Sequence, residues 1–409
     1  MTTLYRGGKL FDGLNEPVEG HAVLVEDDKI AKVAPAAEFD GFQGDAVDTT
    51  GGTLMPGIID CHVHLCLGAE ADPRAAGDKL TTGEIVVRAL QRAQESLAGG
   101  ITAIRDCGGR DYLEFAVRDA CNAGQFMGPS IRCAGRMICM TGGHGSYIGR
   151  IADGKDEVVK AVREQIHAGC DLVKIMATGG VMTPGVNPED AHYSADEMAA
   201  GIGEAKRFHR RTASHAQGAE GILNAVRGGV DSIEHGFFMT EKCVEEMMER
   251  GAYLVPTFSA LTHIIGMQDH GVPAYAVEKA SRVAEAHVAS IKMFYSAGGK
   301  IAMGTDAGTP FNKHGANAQE LAYMVEVGIT PLDALRFSTG NAADLVDLPG
   351  EGRIEEGAFA DLLVVEGDPA TDIEMAANRD NHRMVVKRGQ PVTGETLAAG
   401  ANLQPIAAE

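Results

Sequence analysis

The sequence predicts a mixed α/β chain, with a TIM-like (β/α)8 barrel over residues 57–354 and a small β-sandwich domain assembled from residues 1–56 and 355–409. Three observations carry this reading. Short apolar runs in the middle of the chain alternate with charged stretches of helical period, as βα units do. Polar residues of catalytic type fall at the carboxyl ends of those runs, where a barrel gathers its functional groups. The two chain ends share a different style, of short β segments separated by turns.

At the amino end, Leu4-Tyr5-Arg6 precedes a Gly-Gly turn. Ala22 to Val25 then leads through Glu26-Asp27-Asp28-Lys29 into Ile30 to Val33, and Thr53 to Met55 closes the segment. At the carboxyl end, Asp361 to Val365 and Met384 to Gly389 repeat the style. In between, eight β-like runs are expected at 58–65, 101–106, 131–134, 172–177, 212–216, 232–235, 253–257 and 301–306. Amphipathic stretches such as 155–168 and 195–208 separate them. A doubly wound open sheet is the competing fold, and it explains less well why polar residues gather at one end of nearly every run.

The chain has 409 residues, with 36 basic and 57 acidic side chains and a net charge of −21. That balance argues against nucleic acid or an anionic membrane as partner. No apolar run approaches a membrane span. The start, Met1-Thr2-Thr3-Leu4-Tyr5-Arg6, lacks the layout of a secretory signal, so a cytoplasmic enzyme is expected. The eight cysteines form no CxxC pair and read as reduced, buried thiols. Glycine pairs such as Gly142-Gly143 and Gly179-Gly180 lack phosphate-loop spacing.

The chemistry begins at Ile58-Ile59-Asp60-Cys61-His62-Val63-His64, after the turn-forming Met55-Pro56-Gly57. Residues i and i+2 of a strand share a face, so His62 and His64 can hold one metal ion from a rigid base. Lys174, His215, His235 and Asp306 follow at later run ends. Each has an ordinary reading taken alone: a salt-bridged or snorkelling lysine, satisfied core histidines, an aspartate in an Asx turn or helix cap. Their convergence on one barrel face favours a metal centre instead. Imidazole nitrogen and carboxylate oxygen are ordinary zinc ligands, although manganese, cobalt or iron suits the same set. A desolvated Lys174 amine can combine with carbon dioxide to give a carbamate, the bridging anion that two metals need.

At this point the chain resembles the amidohydrolase superfamily, specifically its binuclear members with a carboxylated lysine. The resemblance runs through GGKLFDG, GTLMPGIIDCHVH, GTDAG and STGNAADLVDLPGEGRIEEGAFADLLVVEGDP. Within the superfamily the chain is similar to the imidazolonepropionase-related, prolidase-like branch. TGGHGSY at 141–147, KIMATGGVMTPG at 174–185, and SHAQG followed by IEHG carry that likeness. Lys174 sets the chain apart from imidazolonepropionase itself, for which the resemblance implies a mononuclear site without this lysine. The resemblance further implies two divalent metal ions, most simply Zn2+. His62, His64 and Asp306 would hold the more buried one, His215 and His235 the second, with carboxylated Lys174 and a hydroxide between them. Asp306 would shuttle the proton, and His144 would donate to the developing oxyanion. A homo-oligomer is expected on the same basis.

The expected reaction is hydrolysis of the amide bond of a small-molecule dipeptide, with Xaa-Pro favoured. Candidate substrate contacts are His144, Tyr147, Arg150, Tyr193 and His263, with Phe258, Leu261 and the stretch Ile264 to Met267 offering an apolar cavity for proline. An Xaa-Arg or Xaa-Lys dipeptidase, an ochratoxin-type amidohydrolase of N-acyl amino acids, and a metal-free binding homologue are the alternatives.

Overall fold

The computed structural model describes residues 2–399, so residue 1 and residues 400–409 of the expected small-domain segments lie outside the described residues. Two sheets contain the chain ends. In the first, strands Lys29–Pro35, His21–Glu26, Thr2–Arg6 and Asp45–Asp48 lie side by side, with the last pair parallel. In the second, the order is Gln390–Pro391, His382–Lys387, Leu362–Glu366, Gly52–Pro56 and Lys9–Leu10. Leu362 pairs with Pro56 and Glu366 with Gly52, so the two chain ends meet in adjacent antiparallel strands.

The pattern of Leu362-Leu363-Val364-Val365 explains how that second sheet is used. Alternate strand side chains point to opposite faces. Leu362 and Val364 pack with Tyr5, Val23, Val25 and Ile30 of the first sheet. Leu363 and Val365 join the large core around Ile58, Ile101 and Ile104. Both faces of this strand are therefore buried, and its run of Leu and Val is what such a position requires. A buried polar seam supports the second contact: Lys387 Nζ donates to Asp361 Oδ2 at 2.7 Å, Ser130 Oγ at 2.7 Å and Thr102 O at 2.9 Å.

The central region is built from parallel strands alternating with helices. Ile58–Val63, Ile101–Asp106 and Ser130–Cys133 form one parallel sheet. Leu172–Met176, Arg211–Ala216, Ser232–His235 and Tyr253–Val255 follow one another in a second, which the short strands Ile138–Cys139 and Arg150–Ile151 extend. Asp171 N donates to Cys133 O at 2.9 Å, between the third and fourth expected runs. The helix Lys155–Ala168 has the bounds its periodicity predicts, and Ala195–Arg207 begins at a capping box of Ser194 and Glu197.

Expectation and structure differ at the eighth run. Residues 301–306 form no ladder; Ile301 makes an isolated bridge to Leu254, and the next bridge is Val63 to Ala307. Two local features explain this. Gly304 passes so close to its neighbours that a Cβ there would lie 2.4 Å from Val255 Cγ1 and 3.0 Å from His62 Cβ. Asp306 then takes φ of +61°, which turns the chain out of the extended region. The segment is still held on both flanks, by Ala302 N to Leu254 O (3.0 Å), Cys61 N to Met303 O (2.9 Å) and Asp306 N to His62 O (2.7 Å).

The short strands Lys9–Leu10, Asp45–Asp48, Ile138–Cys139, Arg150–Ile151 and Gln390–Pro391 were not expected, being too short or too polar to show a period. All eight cysteines are unpaired and buried. Among the described residues, no helix is long and apolar enough to cross a membrane.

Candidate active site

His62 lies on the fully buried strand Ile58–Val63, and His64 follows one residue beyond its end. Their rings sit 5.3 Å apart at 67°, the outcome expected of i, i+2 side chains on one face. Lys174 lies within Leu172–Met176, His215 on Arg211–Ala216 and His235 at the end of Ser232–His235. The sheet register sets Met176 beside His215 and Ala216 beside His235, so these side chains come from adjacent strands. With Asp306 and His144, all of them line one cavity of about 410 Å3. Donor atoms of His62, His235 and Asp306 lie within 4.8 Å of one another.

Each imidazole is fixed by its far nitrogen. His62 Nδ1 donates to Glu234 Oε2 at 2.7 Å, and His64 Nδ1 to Gly108 O at 2.7 Å. His235 Nδ1 donates to Thr257 Oγ1 at 2.7 Å, while that hydroxyl donates to Pro256 O. His215 is held the other way round, through Nε2 to Gly179 O at 2.9 Å. In His62, His215 and His235 this leaves the other nitrogen free to carry the lone pair, with the outer acceptors fixing the tautomer as they do around bound metals, whereas His64 turns its Nε2 to Asp306. Burial, with the Lys174 charge nearby, holds His62 well below its ordinary pKa; burial and neighbouring histidines do the same for His215, and burial with His62 for His235. Neutral imidazole is the form that ligates.

Asp306 Oδ1 approaches His64 Nε2 at 3.2 Å and His62 Nε2 at 3.6 Å. Burial pushes its carboxyl up, but His62, His64 and Lys174 outweigh that and leave it below the usual value. Burial likewise lowers His64, and the Asp306 hydrogen bond and charge more than reverse it. Asp306, His235 (φ +74°) and Thr257 (φ +56°) all have left-handed backbones. For residues other than glycine this costs of order 1–3 kcal/mol each, and such conformations cluster at functional sites.

Lys174 supplies the sharpest test of whether these residues suit metal ions. It is 2% exposed, and its Nζ has no hydrogen-bond partner among the described residues. A buried, unpaired ammonium is among the costliest groups a protein can hold. An amine converted to an anion that bridges cations would remove that cost. The donor set and the orphaned nitrogen therefore fit a two-metal centre.

The other expected contacts divide. His144 and Tyr147 line the cavity, as do Leu261 and Ile264. Burial, together with His192 and Lys279, lowers His144 to about 3, and its Nδ1 lies 2.8 Å from Thr183 Oγ1. Tyr193 is not on the cavity wall: its hydroxyl donates to Ala152 O at 2.7 Å inside the core. Arg150 is tied to Glu164 at 2.6 Å, and His263 to Ser259 O at 2.7 Å. Phe258 packs on His287 away from the cavity, and Ile265 and Met267 also lie off its wall. Arg150 lies on a short strand and Phe258, His263 and Ile265 on the helix Phe258–Gly266, and their side chains turn to nearby partners that one-dimensional reading does not reveal.

Glu234 was the most informative omission. It is fully buried, and it accepts from His62 through one oxygen and from Arg105 Nη2 (2.8 Å) and Ser232 Oγ (2.5 Å) through the other. An acid inside an apolar strand was a visible signal, of the same kind that singled out Lys174. Glu234→Ala should weaken metal binding by about 10–100-fold, because His62 loses its orienting partner. It should also destabilise the fold by about 3–5 kcal/mol, since buried Arg105 is left unpaired. Chelator competition and urea denaturation measure the two effects; no change in either would remove Glu234 from this role.

Comparison with known proteins agrees with this geometry. Residues 53–392 match the amidohydrolase family. The ochratoxinase of Aspergillus niger is 31% identical over 413 aligned residues, spanning 91% of this chain and 83% of its own. A Xaa-Pro dipeptidase crystallised with methionine in its active site superimposes with a TM-score of 0.87 at 32% identity, covering 96% of this chain and 99% of that one. A prolidase complexed with N-methylphosphonate-L-proline gives a TM-score of 0.86 at 31% identity, with the same coverage. With a family match over most of its length and prolidase-like structures among its neighbours, this chain belongs to the amidohydrolase family of hydrolytic enzymes.

Proposed function

We propose that this protein hydrolyses the amide bond of dipeptides, Xaa-Pro above all, at a two-metal centre on a (β/α)8 barrel closed through residues 301–307. The sandwich domain would comprise residues 1–56 and 355–409. The observation that carries the reading is the orphaned Lys174 Nζ on a cavity wall shared with His62, His64, His215, His235 and Asp306. His62, His64 and Asp306 would hold one zinc ion, His215 and His235 the other, with Lys174 as carbamate shared by both. When bound, such ions acidify water and polarise a carbonyl.

The protein's own groups supply the remainder. Water oxygen attacks the amide carbon, and Asp306 accepts the proton released. As the C–N bond breaks, Asp306 returns that proton to the departing nitrogen, so the products are a free carboxylic acid and a free amine. His144 stays neutral; with the Thr183 hydroxyl donating to Nδ1, its Nε2–H is available to the oxyanion. Leu261, Ile264, Phe237 and Val181 give part of the cavity an apolar wall suited to a proline ring.

The likeness to ochratoxinase favours a second substrate class, N-acyl amino acids with a bulky acyl group. Screening zinc-loaded protein against Xaa-Pro, Xaa-Arg/Lys and N-acyl amino acid panels decides among these. Preferred cleavage of Xaa-Pro supports the first reading, and N-acyl turnover with inert dipeptides replaces it with the second. Inactivity of metal-replete protein on every amide would overturn both.

A further inference from the structure

We propose that Arg74, with the Tyr147 hydroxyl, recognises the free carboxylate of the substrate's departing amino acid and so makes the enzyme specific for N-acylated amino acids with an ionised carboxyl end. This deepens the amide-hydrolase reading above and rests on it. Arg74 and Lys174 are the two Lys or Arg side chains on the cavity wall. Lys174 is buried among the histidines, so Arg74 is left as the one Lys or Arg at the mouth among the described residues. Its guanidinium makes no hydrogen bond or ion pair among the described residues, although two carboxylates, Asp72 and Asp78, share the cavity wall with it. Both are committed elsewhere: Asp72 Oδ1 caps Ala75 N at 3.0 Å, and Asp78 Oδ1 accepts from Arg110 Nη2 at 2.9 Å.

The guanidinium lies 5.4 Å from the centre of the Tyr147 ring. Stacking on an aromatic face holds it in place while its edge N–H groups stay free for a two-pronged carboxylate contact. The Tyr147 hydroxyl also has no hydrogen-bond partner among the described residues. Burial raises it to about 12, with the charge of Asp306 adding to the effect, so it remains a proton donor and sits within electrostatic reach of the reacting carboxylate.

The segment carrying Arg74 is tied down at both ends. Ala69 N donates to Gly308 O at 3.1 Å and Phe311 N to Ala69 O at 2.9 Å, joining it to the loop after Asp306. Arg110 Nη1 reaches Gly77 O at 3.2 Å, joining it to the turn beyond Gly108, whose carbonyl holds His64. Arg74 is thus presented on a span anchored to the segments that orient the reacting groups.

The test uses metal-loaded protein and two probes without a scissile amide, N-benzyl-L-proline and N-benzyl-L-prolinol, titrated by calorimetry. The carboxylate should bind about 10–100-fold more tightly than the alcohol, the range expected for charged hydrogen bonds. Arg74→Ala should abolish that preference while leaving the alcohol's affinity and the metal content unchanged. Arg74→Lys should recover part of it, which a packing role would not. Equal loss for both probes, no loss for either, or no binding of the carboxylate to the unmodified protein would each overturn the assignment. Intact discrimination in a protein that cleaves no amide would instead uphold Arg74 and overturn the proposed reaction.

Discussion

Lys174→Ala should fold, retain less metal and lose nearly all hydrolysis. Lys174 is 2% exposed with an orphaned Nζ, so removing it takes away a costly buried group and leaves a small void. The fold should survive, with a thermal midpoint near that of the unmodified protein. The site should not. A residue that merely orients a ligand costs about 10–100-fold when lost, and a shared ligand of both ions should exceed that. Metal analysis and turnover with and without a short carboxylate or bicarbonate give the readout. Full activity of Lys174→Ala without added carboxylate or bicarbonate would end the carbamate assignment.

Asp306→Asn separates proton transfer from metal retention. The amide keeps the shape and an oxygen able to face His64 Nε2, now 3.2 Å from Oδ1, but it cannot accept a proton at neutral pH. Much of the metal should remain while kcat falls by about 10²–10⁴-fold, the usual contribution of a positioned acid–base group. The loss should appear in kcat more than in KM. Turnover equal to that of the unmodified enzyme would remove Asp306 as the shuttle.

The parts of the site legible in sequence share one property: their meaning depends on strand position. HxH at 62 and 64 reads directly because the strand period is two. Lys174, His215 and His235 stood out as polar residues within apolar runs, and that contrast survives without coordinates. Tyr193, Arg150 and His263 do not reach the cavity, because each side chain finds a nearer partner that the sequence does not show. Tyr193 reaches Ala152 O and Arg150 reaches Glu164, both within the same half of the central region. Arg74 escaped notice for the converse reason. A polar residue in a polar loop offers no contrast, and its value lies in facing a cavity with its acidic neighbours already engaged.

The sequence by itself determined the βα alternation, the shared β character of both chain ends, the family, and the polar residues that meet in one cavity. These follow from local periodicity and residue chemistry, which one dimension preserves. Only the tertiary structure decided that residues 301–306 leave the strand pattern, that Glu234 and Arg105 orient His62, and that Arg74 stands free at the mouth. Those outcomes depend on distances between segments far apart in the chain: the close passage of Gly304 past Val255, or the reach of Glu234 to His62. Through-space packing and hydrogen bonding set such distances, and no local period encodes them.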